Sequence, residues 1–220
     1  MTAKSHSKIR QSEKAKYNKK YFENFYWAED FPRRKHYKKF NYNDPTHEKR
    51  FTFLSCLLMK YFDFHTFLDA GCGMGHIVKK LLTEGYDCKG TEASKYALEH
   101  YLSDLRKRGI VYRAGLENLP FKDSEFDLVF CSDVMEHIPF FDIEASIREL
   151  TRVTKKYLLL SINLDHPYEY HPTILSRNTW ESLFLKGKEL KQLKSLEKKI
   201  QNDCQRKYKE YEFFLFKKVS

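Results

Sequence analysis

The sequence lacks the patterns that mark disulfide-rich, zinc-binding and membrane-spanning proteins. Its five cysteines are odd in number and include no C-x-x-C pair, which argues against a disulfide framework or a zinc site and fits a reducing cytoplasm. No apolar segment typical of a signal peptide occurs in the first 20 residues. The longest apolar run, residues 51–62, is too short to span a bilayer and contains Lys60. We therefore expect a cytoplasmic protein that does not insert into membranes.

Internal repeats and low-complexity linkers are also absent from the 220 residues. A hydrophobic content of 41% and an aromatic content of 16% are sufficient for a packed core, so extensive disorder is not expected. The length fits one domain of ordinary size with extra elements at its ends. We assign residues 1–50 to a basic, aromatic-rich helical cap and residues 51–220 to the main domain, whose C-terminal segment, residues 186–220, is variable and basic.

Positive charge is concentrated at the two ends of the chain. Residues 1–50 hold 14 lysines and arginines against 6 acids, and residues 186–220 hold 11 against 5. The part between them has 15 basic residues against 19 acids, although the whole chain carries a net charge of +10. Two interpretations stay open. The basic ends attract an anionic partner such as nucleic acid, an acidic peptide or a carboxylate substrate, or they are solvated faces of terminal helices.

Short apolar runs alternate with amphipathic segments from residue 66 onward. The predicted strands are Thr66–Ala70, Tyr86–Glu92, Ile110–Ala114, Phe126–Cys131 and Lys156–Ile162. The predicted helices between them are His76–Glu84, Lys95–Lys107 and Asp142–Thr154. Alternation at this spacing is typical of an α/β fold with a doubly wound, mostly parallel sheet that has helices on both faces.

The two flanks are also predicted to contain regular elements. Residues 5–27 read as a helix rich in lysine and tyrosine, and Pro45 is expected to begin a second helix that Asp44 caps. Near the C-terminus, Arg177–Leu185 is predicted as a helix and Tyr211–Lys217 as a strand. The lysine-rich stretch between these two elements fits neither pattern.

A glycine-rich turn follows the first predicted strand, at the edge where a doubly wound sheet binds its ligands. The turn reads Asp69-Ala70-Gly71-Cys72-Gly73-Met74-Gly75 and leads into the helix that begins at His76. Its G-x-G-x-G spacing differs from the G-x-G-x-x-G of dinucleotide enzymes, and no Lys-Ser/Thr pair of a P-loop follows it. Because no lysine or arginine lies between Leu68 and Val78, a cationic, phosphate-free nucleoside fits better, with Asp69 supplying a compensating negative charge.

Glu92 lies 19 residues after Gly73, at the end of the second predicted strand. A carboxylate at this position can accept hydrogen bonds from both hydroxyls of a ribose. The alternative is a surface charge at a strand end, which leaves its interval from the glycine turn unexplained. The turn and the acid together predict a nucleoside site.

These motifs resemble those of class I S-adenosylmethionine-dependent methyltransferases, in the small-molecule branch that includes ubiquinone-pathway and sugar-modifying enzymes. The resemblance covers residues 66–165 and rests on Leu68–Gly75, Gly90–Ser94, Glu117–Phe121 and Phe126–Pro139. It implies a Rossmann-like fold with a seven-stranded sheet and a helical N-terminal extension. It also implies S-adenosylmethionine as the cofactor and S-adenosylhomocysteine as its product.

The resemblance further implies which residues bind the cofactor. The residues expected to line its methionine and ribose portion are Gly71, Cys72, Gly73 and Gly75. Asp69 is expected near the amino group, and Glu92 is expected to bind the ribose. The residues expected to approach the adenine are Leu116, Glu117 and Asn118. After the fourth strand, Cys131 and Ser132 are expected to flank the cofactor. In many relatives an aspartate after the third strand contacts the adenine, and Gly115 occupies that place here. Glu117 or a backbone group is expected to substitute.

Two histidines are the candidate catalytic residues. Methyl transfer from a sulfonium requires alignment and exclusion of water, and a general base only when the acceptor is protonated. His137 follows the fourth strand and has a pKa in the range of a base, or it only orders the loop. His171 resembles a histidine found after the fifth strand in relatives, where it contacts substrate or packs structurally. No metal is expected, since Glu136, His137 and His171 show no ligand spacing.

The candidate substrate-binding residues lie near the N-terminus and after the fifth strand. They are Tyr21, Tyr26, Trp27, Tyr168 and His171. The N-terminal aromatic residues, which also include Tyr17 and Phe22, either close over the cofactor as a lid or form an ordinary helical core face.

The predicted function is methylation of an O or N atom of a small metabolite or short peptide. One alternative is an RNA or protein methyltransferase recruited through the basic ends, although the fourth strand lacks the Asn/Asp-Pro-Pro-Tyr/Phe pattern of enzymes that methylate base nitrogens. The other alternative is a cofactor-binding partner subunit without activity of its own. The sequence leaves the oligomeric state open.

Overall fold

A single seven-stranded sheet organises the part of the chain that the computed structural model describes, namely residues 10–12, 14–23, 42, 45–164, 170–208 and 211–219. The strands are β1 (Thr66–Ala70), β2 (Asp87–Glu92), β3 (Val111–Arg113), β4 (Phe126–Ser132), β5 (Thr154–Ser161), β6 (Leu190–Gln192) and β7 (Phe213–Lys218). Their order in the sheet is β3-β2-β1-β4-β5-β7-β6. All neighbours from β3 to β5 are parallel, whereas β7 is antiparallel to both β5 and β6.

Helices cover both faces of this sheet. They are α1 (Lys19–Glu23), α2 (Pro45–Tyr61), α3 (His76–Thr83), α4 (Lys95–His100), α5 (Ser103–Lys107), α6 (Ile143–Val153), α7 (Arg177–Leu185) and α8 (Lys194–Gln205). Two short 3₁₀ helices, Met135–His137 and Phe140–Asp142, follow β4, and residues 10–12 and 14–16 are helical as well. Within the described residues, no helix has the length and apolar character needed to cross a membrane.

Two hydrophobic cores lie on opposite faces of the sheet because successive strand residues point in opposite directions. In β1, Phe67 belongs to the core beneath α2, α3 and α8, while Leu68 belongs to the core beneath α6 and α7. Strand β4 is buried along almost its whole length, which its uninterrupted apolar run requires. The buried sheet holds the carboxyl ends of β1, β2 and β4 at one fixed edge.

The predicted doubly wound α/β fold is confirmed, and the five predicted central strands occur with ends shifted by one or two residues. The predicted helix Lys95–Lys107 is wrong as a single element, because it ends at His100 and restarts at Ser103. The ambiguous lysine-rich stretch contains β6 and α8. Helix α2 begins at Pro45 as predicted, and it crosses the boundary at residue 50 that we drew between the cap and the main domain.

The predicted helix over residues 5–27 is also interrupted. In its described part, helical residues 10–12 and 14–16 are followed by a bend at Tyr17 and Asn18, and α1 begins at Lys19. The side-chain oxygen of Asn18 accepts a hydrogen bond from the backbone N–H of Lys20 at 2.9 Å. Asparagine competes in this way with backbone hydrogen bonding, which explains the break within a lysine-rich helical pattern.

Candidate functional site

A large cleft opens at the carboxyl ends of β1, β2, β3 and β4. It encloses about 1220 Å³, counted out to its open mouth, and lies where the strand order reverses on either side of β1. Ligands of doubly wound sheets bind at such a switch point. The walls of the cleft divide into two parts. One wall is built from the strand-end loops of the sheet, and the other includes the N-terminal segment, which we define as residues 10–12 and 14–23.

The glycine turn forms the floor of the first wall. The backbone N–H groups of Gly71 and Cys72 both donate to the carbonyl oxygen of Thr91, at 2.9 and 2.8 Å, which ties the turn to β2. Gly71 has a φ of +90°, and a Cβ there would lie 2.5 Å from Cγ2 of Val134. Glycine alone combines this backbone conformation with such a close approach. Gly73, with a φ of +56°, has no atom within 4 Å of where its Cβ would be, so its backbone faces open space in the cleft.

Two acids stand beside this turn. Glu92 accepts hydrogen bonds from the backbone N–H groups of Gly73 at 2.9 Å and Ser94 at 2.7 Å. Asp69, at the end of β1, is 4% exposed. Burial raises the pKa of Asp69 to about 7, helped by the nearby charge of Glu92, and burial also raises the pKa of Glu92 to about 7 against the opposing effect of its backbone hydrogen bonds.

The chemistry of this acid pair fits a cationic nucleoside. Within the described residues neither Asp69 nor Glu92 forms an ion pair, so the buried negative charge has no protein cation to balance it. A ligand carrying ammonium and sulfonium charges would balance it, and ribose hydroxyls would donate to the Glu92 carboxylate. The residues present therefore fit S-adenosylmethionine.

The predicted adenine-contacting residues are brought to the cleft only in part. Leu116 and Glu117 line it, whereas Asn118 is absent from its wall. The Glu117 side chain folds back over Gly115, where a Cβ would clash with the Glu117 carboxylate. Glu117 also accepts a hydrogen bond from Lys14 Nζ at 2.6 Å, so the N-terminal segment holds this carboxylate in place.

Of the two residues expected after β4, Ser132 lines the cleft and Cys131 does not. Cys131 is fully buried in the core beneath α6 and α7. The pleat explains the difference, because adjacent residues of a strand point to opposite faces. The cleft wall therefore receives the Ser132 side chain and no contribution from the Cys131 thiol.

The second wall is made where the N-terminal segment meets the loop after β4. The Tyr17 hydroxyl lies 3.1 Å from Nδ1 of His137, and the Tyr17 carbonyl accepts from Oγ of Ser94. Arg10 forms an ion pair with the buried carboxylate of Asp142. These contacts fasten the N-terminal segment across the cleft, from Ser94 beside Glu92 to the loop after β4.

His137 is the predicted catalytic residue that the structure places in the cleft. Burial lowers the pKa of His137 to about 4, so its imidazole is neutral at physiological pH and is a weaker base than the sequence predicted. The other predicted catalytic residue, His171, is 4% exposed and does not line the cleft. Its ring packs edge-to-face behind that of His137, with the centroids 4.6 Å apart. His171 thus supports His137 and does not itself line the cavity.

Among the predicted substrate-binding residues, Tyr21 lines the cleft next to Tyr17, with ring centroids 5.0 Å apart. Tyr26, Trp27 and Tyr168 lie outside the described residues. The sequence predictions missed other members of the wall, namely Arg10, Lys14, Tyr42 and Asp142. One signal was available for the N-terminal members, since residues 10, 14, 17 and 21 share one face at helical spacing.

Comparison with known proteins agrees with this site. Residues 68–160 match the family model described as a methyltransferase domain. An uncharacterised protein of Methanocaldococcus jannaschii is 33% identical over 141 residues, which are 62% of this chain and 57% of that protein. Norajmaline N-methyltransferase of Rauvolfia serpentina is 34% identical over 95 residues, which are 39% of this chain and 31% of that enzyme. The match therefore spans less than two thirds of either relative.

The fold has counterparts among solved structures. The crystal structure of an S-adenosylmethionine-dependent methyltransferase from Clostridium acetobutylicum aligns with a TM-score of 0.57 at 16% identity, covering 80% of this chain and 93% of that one. Similarity at this identity shows the fold alone. Together with the family match and the paired acids at the glycine turn, it leads to one assignment. Residues 68–160 form a methyltransferase domain of the class I S-adenosylmethionine-dependent type, with S-adenosylmethionine as its cofactor.

Proposed function

We propose that the chain transfers a methyl group from S-adenosylmethionine to an O or N atom of a small metabolite or short peptide. The observation that carries this proposal is the two-walled cleft. One cavity has the acid pair Asp69 and Glu92 at one side and His137 with Tyr17 at the other. A donor bound at the first wall would present its methyl group toward the second.

The first wall would bind the cofactor, which supplies an electrophilic methyl group on a sulfonium. In this proposal Glu92 accepts hydrogen bonds from the ribose hydroxyls, and Asp69 faces the amino group. The turn from Gly71 to Gly75 lies along the methionine portion. Leu116 and Glu117 flank the adenine, and Ser132 completes the wall. These residues align the donor and limit the access of water, which is most of what this reaction requires.

The second wall would bind the acceptor. Tyr17 and Tyr21 offer aromatic faces and hydroxyl groups, and the neutral imidazole of His137 can form a hydrogen bond with the acceptor. His171, packed behind His137, would act as a positioning residue. The name of the Rauvolfia serpentina relative states that it methylates a nitrogen of norajmaline, which supports nitrogen as one possible acceptor atom.

The size class of the acceptor follows from the closure of the cleft. The ion pairs Arg10–Asp142 and Lys14–Glu117 hold the N-terminal segment over the cavity. A base within RNA or a residue within a folded protein would have to displace this segment to reach the cavity. The covered cleft therefore favours a small acceptor over the macromolecules that the basic ends suggest.

A labelling experiment tests this proposal. The protein is incubated with methyl-labelled S-adenosylmethionine and, separately, with a small-molecule extract, total RNA and total protein. We expect label only in the small-molecule fraction and, at limiting cofactor concentration, at least tenfold less transfer with Glu92→Ala. Label in RNA or protein would overturn the small acceptor, and cofactor binding without labelling of any fraction would contradict the enzymatic function.

A further inference from the structure

Three potential metal ligands lie close together at and behind the second wall of the cleft. Glu136, His137 and His171 each offer one ligand atom, and these atoms all lie within 4.8 Å of one another. Glu136 and His137 belong to the 3₁₀ helix after β4, while His171 follows β5 and comes from a distant part of the sequence. Sequence spacing therefore could not indicate the cluster.

Backbone contacts hold the two contributing segments together. The backbone N–H of Thr173 donates to the carbonyl oxygen of Glu136 at 3.2 Å, and its hydroxyl donates to the carbonyl oxygen of Ile138 at 2.7 Å. Thr173 is itself buried. The three donor groups are thus positioned by fixed backbone on both sides, as a preformed ligand site requires.

Glu136 carries the observation that points to a cation. Its side chain is 0% exposed, and Oε1 accepts a hydrogen bond from the backbone N–H of Asn163 at 3.2 Å. Oε2 is buried and has no hydrogen-bond partner within the described residues. A buried carboxylate oxygen without a partner is costly, and buried charges in proteins are normally paired or coordinate metals.

We propose that Glu136, His137 and His171 bind a divalent transition-metal ion. Two imidazoles and one carboxylate suit zinc, iron, cobalt or manganese, whereas magnesium and calcium prefer oxygen ligands alone. Bonds of about 2.0–2.2 Å bring donor atoms to roughly 3.0–3.5 Å from one another, so the spread of up to 4.8 Å seen here would have to close on binding. His137 would also exchange one of its ring contacts, with the Tyr17 hydroxyl or the Tyr170 backbone, for the ion. Asp133 interacts electrostatically with Glu136, but Arg50 pairs with Asp133 at 3.8 Å, so the buried Glu136 carboxylate is the charge that the ion would balance.

The location of the site gives the ion a role at the second wall. His137 lines the cleft, while Glu136 and His171 lie behind it, so coordination positions not filled by the protein would face the cavity. Three protein ligands and an open position are typical of metal ions that bind substrate. The ion would hold an acceptor oxygen or nitrogen atom. This role rests on the proposed methyl transfer, whereas binding of the ion does not.

Cobalt titration of untagged, chelator-treated protein tests the site. We expect one equivalent of Co²⁺ to bind with visible d–d absorption, and Zn²⁺ to displace it. His171→Ala and Glu136→Gln should each weaken the affinity at least tenfold. The control His65→Ala removes an exposed histidine outside the cluster and should leave binding unchanged. Thermal unfolding without metal identifies a misfolded variant, and His137→Gln, at the cleft wall, then replaces it in the comparison.

The outcomes separate this site from the proposed activity. Stoichiometric Co²⁺ binding that depends on Glu136 and His171 supports the site even if no acceptor is methylated. Absence of binding, or binding that none of the three substitutions weakens, overturns it even if methyl transfer is observed.

Discussion

The two walls of the cleft are built in different ways. The methionine and ribose part of the cofactor wall is local, because the glycine turn and Glu92 lie within residues 69–92 and are fixed mainly by backbone hydrogen bonds. The acceptor wall is assembled from distant parts of the chain. Tyr17 meets His137, and Arg10 meets Asp142, through side chains alone. A wall fixed by backbone hydrogen bonds suits a ligand that stays the same, namely the cofactor. A wall made of side chains can change by substitution when the acceptor differs.

Because the two walls are built differently, mutations should affect cofactor binding and acceptor binding separately. Changes in the turn or its acids should reduce cofactor affinity, whereas changes to the Tyr17 and Tyr21 side chains should act on the acceptor and leave cofactor affinity nearly intact.

Replacing Gly71 with alanine should have the largest effect. The positive φ costs roughly 1–2 kcal/mol for a residue with a Cβ, and the clash with Val134 adds to it. We expect at least a hundredfold loss of cofactor affinity in calorimetry. Gly85→Ala is the matched control, since Gly85 has a φ of +86° and no neighbour within 4 Å. It should lose stability only, and equal cofactor affinity in both variants would refute the role of the turn.

Removing the Glu92 carboxylate should weaken cofactor binding by about 1.5–3 kcal/mol, the usual scale for hydrogen bonds to a charged group. Glu92→Ala is compared with Glu99→Ala, which removes an exposed acid paired with Lys95 on a helix. Calorimetry should show the loss for the first variant alone. An unchanged dissociation constant for Glu92→Ala would remove Glu92 from the ribose site.

The buried acid pair should make the ligand-free protein less stable as pH rises. The folded-state pKa values of Asp69 and Glu92 are raised to about 7, so the native state retains protons that the unfolded chain releases near pH 4. The free energy of unfolding should fall by about 1.4 kcal/mol per carboxyl between pH 5 and pH 6. Urea denaturation measures the slope, and Asp69→Asn should flatten it. The same slope in wild type and variant would contradict the assignment.

Tyr17→Phe should have the smallest effect and act on the other wall. It removes the hydroxyl that contacts His137 and keeps the ring, at a cost of about 1 kcal/mol. We expect the KM for the acceptor to rise several-fold while the cofactor dissociation constant stays constant. If cofactor affinity falls as much as in Glu92→Ala, the two walls are not separable.

The sequence was sufficient to predict the central strands of the sheet and the positions of the glycine turn and Glu92, since these depend on local patterns. Apolar strand runs and turn residues specify β1 to β5, and the interval from Gly73 to Glu92 specifies the acid beside the turn. The helix break after His100 was missed because no glycine or proline marks it. The bend at Tyr17 was missed because Asn18 is a weak signal within a long helical pattern.

The acceptor wall was only partly predictable because its contacts join residues far apart in the chain. His137 was found from its place after β4, whereas Asp142 had no local signal for its pairing with Arg10. The burial of Cys131 follows from strand pleating once the strand register is known. The proximity of His171 to His137 depends on how the loops after β4 and β5 pack, which no spacing rule describes.

The central claim is that the acid pair and the glycine turn bind the cofactor so that its reactive end faces His137. The crystal structure of the complex with S-adenosylhomocysteine tests this most directly. The account predicts both ribose hydroxyls within hydrogen-bonding distance of the Glu92 carboxylate, the methionine portion along Gly71 to Gly75, and the sulfur facing His137. A ribose bound away from Glu92, or a sulfur facing away from the His137 wall, would contradict it.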